Sequence, residues 1–378
     1  MLNETLIVAL LSGGHYVGDD NNVRGITQSL KDKGFKNIQY EIVVQKSPVD
    51  GKYSLDNEKI SELQNIIDHK KVLVIASGLD GIDALTQLKK GPGHIFIWSG
   101  HQITSKLESN MDGLNAIIVP GSSVDEIVQE ELGKKEIKLI KTVGVPHNKS
   151  KEEIIKAYEE WEKPNMLADQ KFLLVSLPGD APDPSGTMQY YTKESAKKLG
   201  NQLGHIAQKN NMLMLVTNGP RTGQHDPDSG IKLKTHGKDD QIDGVSAAFL
   251  AGAEKYIDSA RIIFSDFKFG EPSMFNTFLG AVLENPGSIA VIGGDSTSQV
   301  TEATNLLKPG QVYIVCNEAM NKGHHKHIEN VVSSHHYAHE LPEGMDKLPQ
   351  DSLGLPIAQP DASLAAYEII EILGSHIE

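Results

Sequence analysis

Short apolar runs alternate with amphipathic segments along most of this chain, and that alternation restricts its fold more than any other feature. In the first half, strands are predicted at 6–11, 38–44, 72–76, 94–98, 116–119 and 137–142. Helical spacing fills 22–33, 56–69 and 81–89 between them. The second half repeats the rhythm, with strands at 172–176, 212–217, 260–264, 288–292 and 312–315 and long helices at 191–209 and 361–377. Strands and helices in alternation imply a parallel, doubly wound sheet. Here the pattern occurs twice, giving an α/β protein of two Rossmann-like domains facing a cleft.

The division follows from length and from one polar stretch. A chain of 378 residues is long for one core and comfortable for two. Residues 151–165 read as a polar linker helix ending at Lys163-Pro164, so the domains are placed at 1–150 and 166–360. Residues 361–378 form a last helix expected to pack back on the first domain.

Composition excludes several classes of function. No apolar run approaches the ~18 residues of a membrane span, although peripheral membrane contact stays open. The start of the chain lacks the basic flank of a signal peptide and reads as a first strand. A single Cys316 allows no internal disulfide, so a reducing cytoplasm is the default compartment. The net charge of −14 argues against nucleic acid as an electrostatic partner. Oligomeric state is not encoded in any of these features.

Ligands of open α/β sheets bind outside the carboxyl ends of the strands, and those ends are small or polar here. The first domain offers Ser12-Gly13-Gly14-His15, Ser77-Gly78, Ser99-Gly100-His101 and Pro120-Gly121-Ser122-Ser123. The second offers Pro178-Gly179-Asp180, Thr217-Asn218-Gly219 and Gly293-Gly294-Asp295. Glycine at a strand end lets backbone approach a ligand closely.

The last of these turns is the most specific. The apolar run 289–292 stops at Gly293-Gly294, then Ser296, Thr297 and Ser298 precede a helical segment carrying Glu302 near its first turn. A glycine turn leading into a hydroxyl-capped helix N-terminus is an anion site suited to a diphosphate. Glu302 is placed to accept hydrogen bonds from ribose hydroxyls. The pattern fits neither the dinucleotide glycine fingerprint nor a P-loop.

In order along the chain, several segments resemble the mitochondrial fission family typified by the plant elongated-mitochondria protein, which itself looks like GT-B glycosyltransferases. They are Gly14-His15 with Asn22 and Gln28, the run Thr142 to His147, and Leu215 to Thr222, which resembles a strand ending in a Ser/Thr-Arg-Arg-Thr turn. The run Gly270 to Leu279 resembles a Gly-x-Asn-Pro-Tyr segment, and Asp295 to Ala303 resembles Asp-Ser-x-x-x-x-x-Glu-Ala. Two departures stand out: the usual double arginine is Pro220-Arg221, and the Asn-Pro is not intact.

The resemblance implies a nucleotide-sugar donor on the second domain, an acceptor on the first, and glycosyl transfer without a metal or a bound cofactor. Gly219, Arg221, Thr222, Gly293, Gly294, Ser296, Thr297, Ser298 and Glu302 would hold the donor, with Arg221 offsetting the leaving diphosphate. Gly13, Gly14, Ser99 and His101 would line the acceptor side. His15 leads as the base, with Asp19 or Asp20 behind it. The alternative is a non-catalytic binding or scaffold protein that keeps the fold. A metal at His324, His325, His327, His335, His336 and His339, or at His225-Asp226-x-Asp228, is weighed against solvated loops and helix caps.

Overall fold

A computed structural model describes residues 5–13, 16–46, 53–68, 70–162, 169–183, 186–226, 229–233, 242–268, 271, 273–344, 348 and 360–375. The chain divides into two compact units, Met1–Asn148 with Gln359–Glu378, and Lys149–Ala358. Each is built on a six-stranded sheet with parallel pairing.

In the first unit the elements run β1 (Leu6–Leu11), α1 (Val17–Asp32), β2 (Ile38–Ile42), β3 (Val44–Lys46), β4 (Tyr53–Leu55), α2 (Asn57–Ile67) and β5 (Val72–Ser77). Then come α3 (Gly78–Gln87), β6 (His94–Ser99), α4 (Ser105–Asn110), β7 (Ala116–Pro120), α5 (Glu126–Lys134) and β8 (Lys138–Thr142). The sheet order is β2-β1-β5-β6-β7-β8, and β3 pairs with β4 as a separate antiparallel ribbon. The direction of winding reverses between β1 and β5, the position where such sheets open a crevice.

Why β1 is apolar at every position is now plain. Ile7, Ala9 and Leu11 enter a core with Val23, Ile26 and Leu30 of α1, while Leu6, Val8 and Leu10 enter a second core with Ile60 and Leu63 of α2. A strand covered on both faces has no reason to alternate. Each fully buried Leu or Ile contributes about 2 kcal/mol.

The second unit contains α6 (Lys151–Glu159), β9 (Lys171–Ser176), β10 (Ala181–Pro182), β11 (Met188–Gln189), α7 (Lys193–Lys209), β12 (Met212–Thr217) and α8 (Gly244–Ala253). It continues with β13 (Ile262–Ser265), α9 (Phe275–Glu284), β14 (Ile289–Gly293), α10 (Thr297–Leu306), β15 (Val312–Val315), α11 (Lys322–Glu329) and β16 (His339–Glu340). Its sheet order is β13-β12-β9-β14-β15-β16, so winding reverses between β9 and β14. Leu173 and Val175 of β9 pack with Leu199, Leu203 and Phe249 from α7 and α8. On the other face, Phe172 meets the Tyr158 ring edge-on at 6.3 Å, and Trp161 meets Phe278 of α9 at 5.6 Å.

The polar segment after Ser150 is thus an amphipathic helix with a side belonging to the second unit. Ser150 caps it in a reciprocal box with Glu153. The last helix, α12 (Asp361–Ser375), belongs to the first unit. Its Ala365, Ala366, Ile369 and Ile372 join the α1 face of that core, and buried Asp361 accepts the Val143 and Gly144 N–H groups at 2.8 and 3.1 Å. Among the described residues, no helix is long and apolar enough to cross a membrane.

One boundary corrects the sequence reading. α1 begins at Val17, five residues before the predicted start, so Asp19 and Asp20 lie in its first turn. Carboxylates are stabilised there by the helix dipole and the unpaired N–H groups. A run of polar residues that reads as loop is the helix's own N-terminus.

Candidate functional site

In the first unit, the ends of β1, β5 and β6 bring a polar cluster together. Ser77 Oγ donates to Asp19 Oδ1 at 3.3 Å, and His101 Nε2 lies 3.6 Å from the same oxygen. Gly78 has φ +68, and a Cβ there would sit 1.9 Å from Asp19 Oδ2, so only glycine fits. Trp98 Nε1 donates to the Gly78 carbonyl at 2.8 Å, fixing that turn from β6. Partial desolvation of the Tyr16 phenol, together with Asp80 and Asp19 nearby, pushes its pKa upward.

The two carboxylates of α1 do different work. Asp20 is buried, and its Oδ1 accepts the Ser12 N–H at 2.6 Å, holding the end of β1 against the helix. That engagement suits a structural anchor, whereas Asp19 shares its carboxylate with Ser77 and the half-exposed His101. Ser99 is fully buried, its hydroxyl donating to Asn22 Oδ1 at 2.9 Å. Gly13 has φ +66 and leaves room for Ile42, which approaches to 2.8 Å of where a Cβ would stand. Gly14 and His15 lie outside the described residues.

In the second unit, the turns after β9, β12 and β14 lock together. Arg221 Nη2 donates to the Asp295 carbonyl at 3.3 Å and lies 3.9 Å from Asp295 Oδ2. Asp295 Oδ2 also accepts the Gly179 N–H at 3.1 Å, and Asn317 Nδ2 approaches Oδ1 at 3.4 Å. Burial raises the Asp295 carboxyl above the usual carboxylate range, against the opposing pull of Arg221 and these donors. Gly219 and Thr222 close the β12 turn: Gly219 N–H donates to Thr222 Oγ1 and Thr222 N–H to the Gly219 carbonyl, both at 3.1 Å.

Backbone approach explains the paired glycine. A Cβ on Gly293 would stand 2.9 Å from Pro178 Cα, and one on Gly294 would stand 2.8 Å from Met320 Sδ. Gly294 N–H donates to the Val315 carbonyl at 2.9 Å. The helix that follows departs from expectation in its capping. Ser296 stands at the N-cap of α10 but makes no side-chain cap hydrogen bond, and Thr297 is buried while Ser296 and Ser298 are half-exposed. The hydroxyl of Ser296 is therefore not used to close the helix end. Glu302 lies deeper on α10, buried, with its Oε2 at 2.6 Å from Lys149 Nζ.

Several participants carried no role in the sequence reading. Asp295 is the hub of the second-unit turns, Lys149 faces Glu302, and Ser176 Oγ donates to Gln299 Oε1 of α10 at 2.9 Å. Asp180, in the turn after β9, pairs with His225 at 3.0 Å. Asp180 and Asp295 stand in glycine turns at strand ends, but partnerships across dozens of residues have no local signature.

The histidines weighed as metal ligands make other contacts. His225 Nδ1 pairs with Asp180, His339 stacks on Tyr313 at 5.1 Å, and His335 stacks on Tyr337 at 5.1 Å. Asn321 caps α11 in a reciprocal box with His324, and His327 of the same helix is buried. Asp228 lies outside the described residues, and no group of three or more metal-ligating side chains occurs among the described ones. A depression of about 570 Å³ lined by Asp68, Lys70, Lys71, Gly91, Pro92 and His94 lies near the amino ends of β5 and β6. That is the opposite edge from the glycine turns and from the chemistry they carry.

No family model matches the chain, and no curated protein matches it. The resemblance to the mitochondrial fission family therefore stands on the quoted motifs alone. Solved structures do align over nearly the full length. MurG of Acinetobacter baumannii is 9% identical, with 98% of this chain and 99% of that one covered at a TM-score of 0.42. A ugt transferase from Siraitia grosvenorii in complex with UDP is 10% identical, covering 99% and 94% at 0.47. An alpha,alpha-trehalose 6-phosphate synthase from Burkholderia multivorans is 9% identical, covering 99% of each at 0.45. At these values the likenesses carry no functional argument. The strand orders themselves define the class: two parallel-sheet α/β domains of the Rossmann-like kind.

Proposed function

We propose that this chain is a GT-B-like protein that binds a nucleotide-sugar and transfers its glycosyl group. The second domain holds the donor and the first holds the acceptor. One observation carries the reading: Arg221 joins the β12 turn to Asp295 at the β14 turn, where the winding of the sheet reverses. A half-exposed guanidinium beside a paired glycine and the N-terminus of α10 supplies positive potential for a diphosphate. Ser296, Thr297 and Ser298 extend the donor set along the start of the helix.

On the acceptor side, Asp19 and His101 provide the proton-accepting groups of the described turns, with His15 on the same β1 loop in the sequence. A base there takes the proton of an acceptor hydroxyl as its oxygen attacks the sugar carbon. The bond to the diphosphate breaks, and the leaving negative charge falls on the Arg221 side. A cytoplasmic setting suits the unpaired thiol of Cys316.

A second reading, a non-catalytic binding or scaffold protein of the fission-family kind, is favoured by one fact. The Glu302 carboxylate assigned to ribose is already paired with Lys149. Calorimetric titration with UDP-, GDP-, CMP- and TDP-sugars separates the two. The donor reading expects one of them to bind and R221A to weaken it by at least about tenfold. No binding at millimolar concentration leaves the scaffold reading.

A further inference from the structure

Asp180 is 1% exposed, and its carboxylate collects three N–H groups at the turn after β9. Oδ1 accepts the Tyr191 backbone N–H at 3.1 Å, while Oδ2 lies 3.0 Å from both the His225 backbone N–H and His225 Nδ1. An ionised carboxylate only accepts, so the ring proton is held on Nδ1. The Tyr190 ring lies against the imidazole at 5.7 Å, and a backbone bridge from His225 to Lys232 fixes the loop. Among the described residues, none takes up His225 Nε2.

The same turns carry the cation of the proposed diphosphate site. Asp180 N–H donates to the Arg221 carbonyl at 3.0 Å, and Gly179 N–H donates to Asp295 Oδ2 at 3.1 Å. One chain of hydrogen bonds thus runs from the β14 turn through Asp295, Gly179 and Asp180 to His225, with Arg221 on it. A buried carboxylate is committed to aiming one imidazole, four residues beyond the arginine.

We infer that His225 is a second ligand for the donor's diphosphate, acting through Nε2–H as an imidazolium, with Asp180 as its positioning residue. The inference rests on the nucleotide reading above. With Nδ1 already protonated, a neutral ring would turn a lone pair toward the phosphate oxygen. Binding is therefore coupled to proton uptake. Asp180 and the Tyr190 ring are the groups in contact with the imidazole. Other charged residues of these turns are Arg221, Asp226 and Lys232. A bound phosphate adds to the pull of Asp180. The expected sign is tighter binding on the acid side, lost as the ring gives up its proton.

Calorimetric titration of the full chain with UDP, from about pH 5.5 to about pH 8.5 in buffers of different ionisation enthalpy, reads both affinity and proton uptake. H225Q should bind about tenfold more weakly at acid pH and take up correspondingly less proton. The ligand's own titration cancels in that difference. R221A should weaken binding yet keep the histidine's share of the uptake, and D180N should shrink it while circular dichroism shows a native fold. H225Q that matches wild type in affinity and uptake overturns the role of His225 alone. Should H225Q fail to fold, H225N is read the same way, and wild-type affinity that does not fall with rising pH overturns the inference directly. Wild-type protein that binds neither UDP nor inorganic pyrophosphate at millimolar concentration overturns the nucleotide reading, and this inference with it.

Discussion

Lys149 Nζ stands 2.6 Å from Glu302 Oε2, with side-chain exposures of 17% and 6%, and the ammonium also lies 5.2 Å from the centre of the Phe275 ring. The pair joins the start of the second unit to the middle of α10. It also means that the carboxylate beside the proposed donor turn already has a partner.

Removing either partner leaves a buried charge without its counterion, which costs about 3 kcal/mol or more. K149M and E302Q are each expected to lose about that much in chemical denaturation. The K149M/E302L double variant should recover most of it, because a packed apolar pair replaces the ions. If E302Q keeps full stability, the pair is not structural, and the carboxylate is freer for ribose than the geometry implies.

Helices α7 and α8 touch through glycine, and this makes an opposed pair of substitutions. A Cβ on Gly200 would stand 2.1 Å from the Phe249 carbonyl oxygen, so G200A must push the helices apart. The expected loss is about 1–3 kcal/mol. Gly133, exposed in α5, has nothing within 4 Å of a Cβ, and G133A should stabilise by up to about 1 kcal/mol. Thermal denaturation of both variants checks the contrast, and equal effects would refute it.

Asp295 gives stability a pH dependence of definite sign. Burial raises its carboxyl in the folded state, so the folded protein holds that proton more tightly than the unfolded chain. Its contribution is fully present below the unfolded value of about 3.9 and is lost as pH rises through the folded value. Wild type should therefore lose stability relative to D295N as pH climbs from about 4 toward neutrality. A difference that stays flat or grows in favour of wild type would show that Arg221 and the Gly179 N–H dominate.

Cys316 should be a poor nucleophile. Burial and the nearby Glu340 carboxylate push its thiol up to about 12, so little thiolate exists at pH 8. Alkylation by iodoacetamide is expected to be about a thousandfold slower in the native protein than in denaturant. Comparable rates would mean that the thiol is exposed and unperturbed.

The strands were the most legible part of the sequence. Those at 6–11, 212–217 and 312–315 occupy their predicted positions, because a fully buried parallel strand is an unbroken apolar run with sharp polar ends. Helix starts were less so. The first turn of α1 is made of Asp19 and Asp20 with the nearby Asn22, residues that also favour loops, and only the packing of Val23 and Ile26 identifies them as helical.

Residue types at the strand ends were equally visible, but their partners were not. Sequence alone determined two wound domains, glycine turns at the carboxyl ends, and an arginine and a glycine pair within two of those turns. Only the tertiary structure decided that Arg221 meets Asp295, that Lys149 takes Glu302, that Asp20 anchors Ser12 while Asp19 faces His101, and that Asp180 aims His225. The reason is physical. Strand and helix periodicity is written in neighbouring residues, whereas a buried charge is satisfied by whichever distant group the sheet order brings beside it.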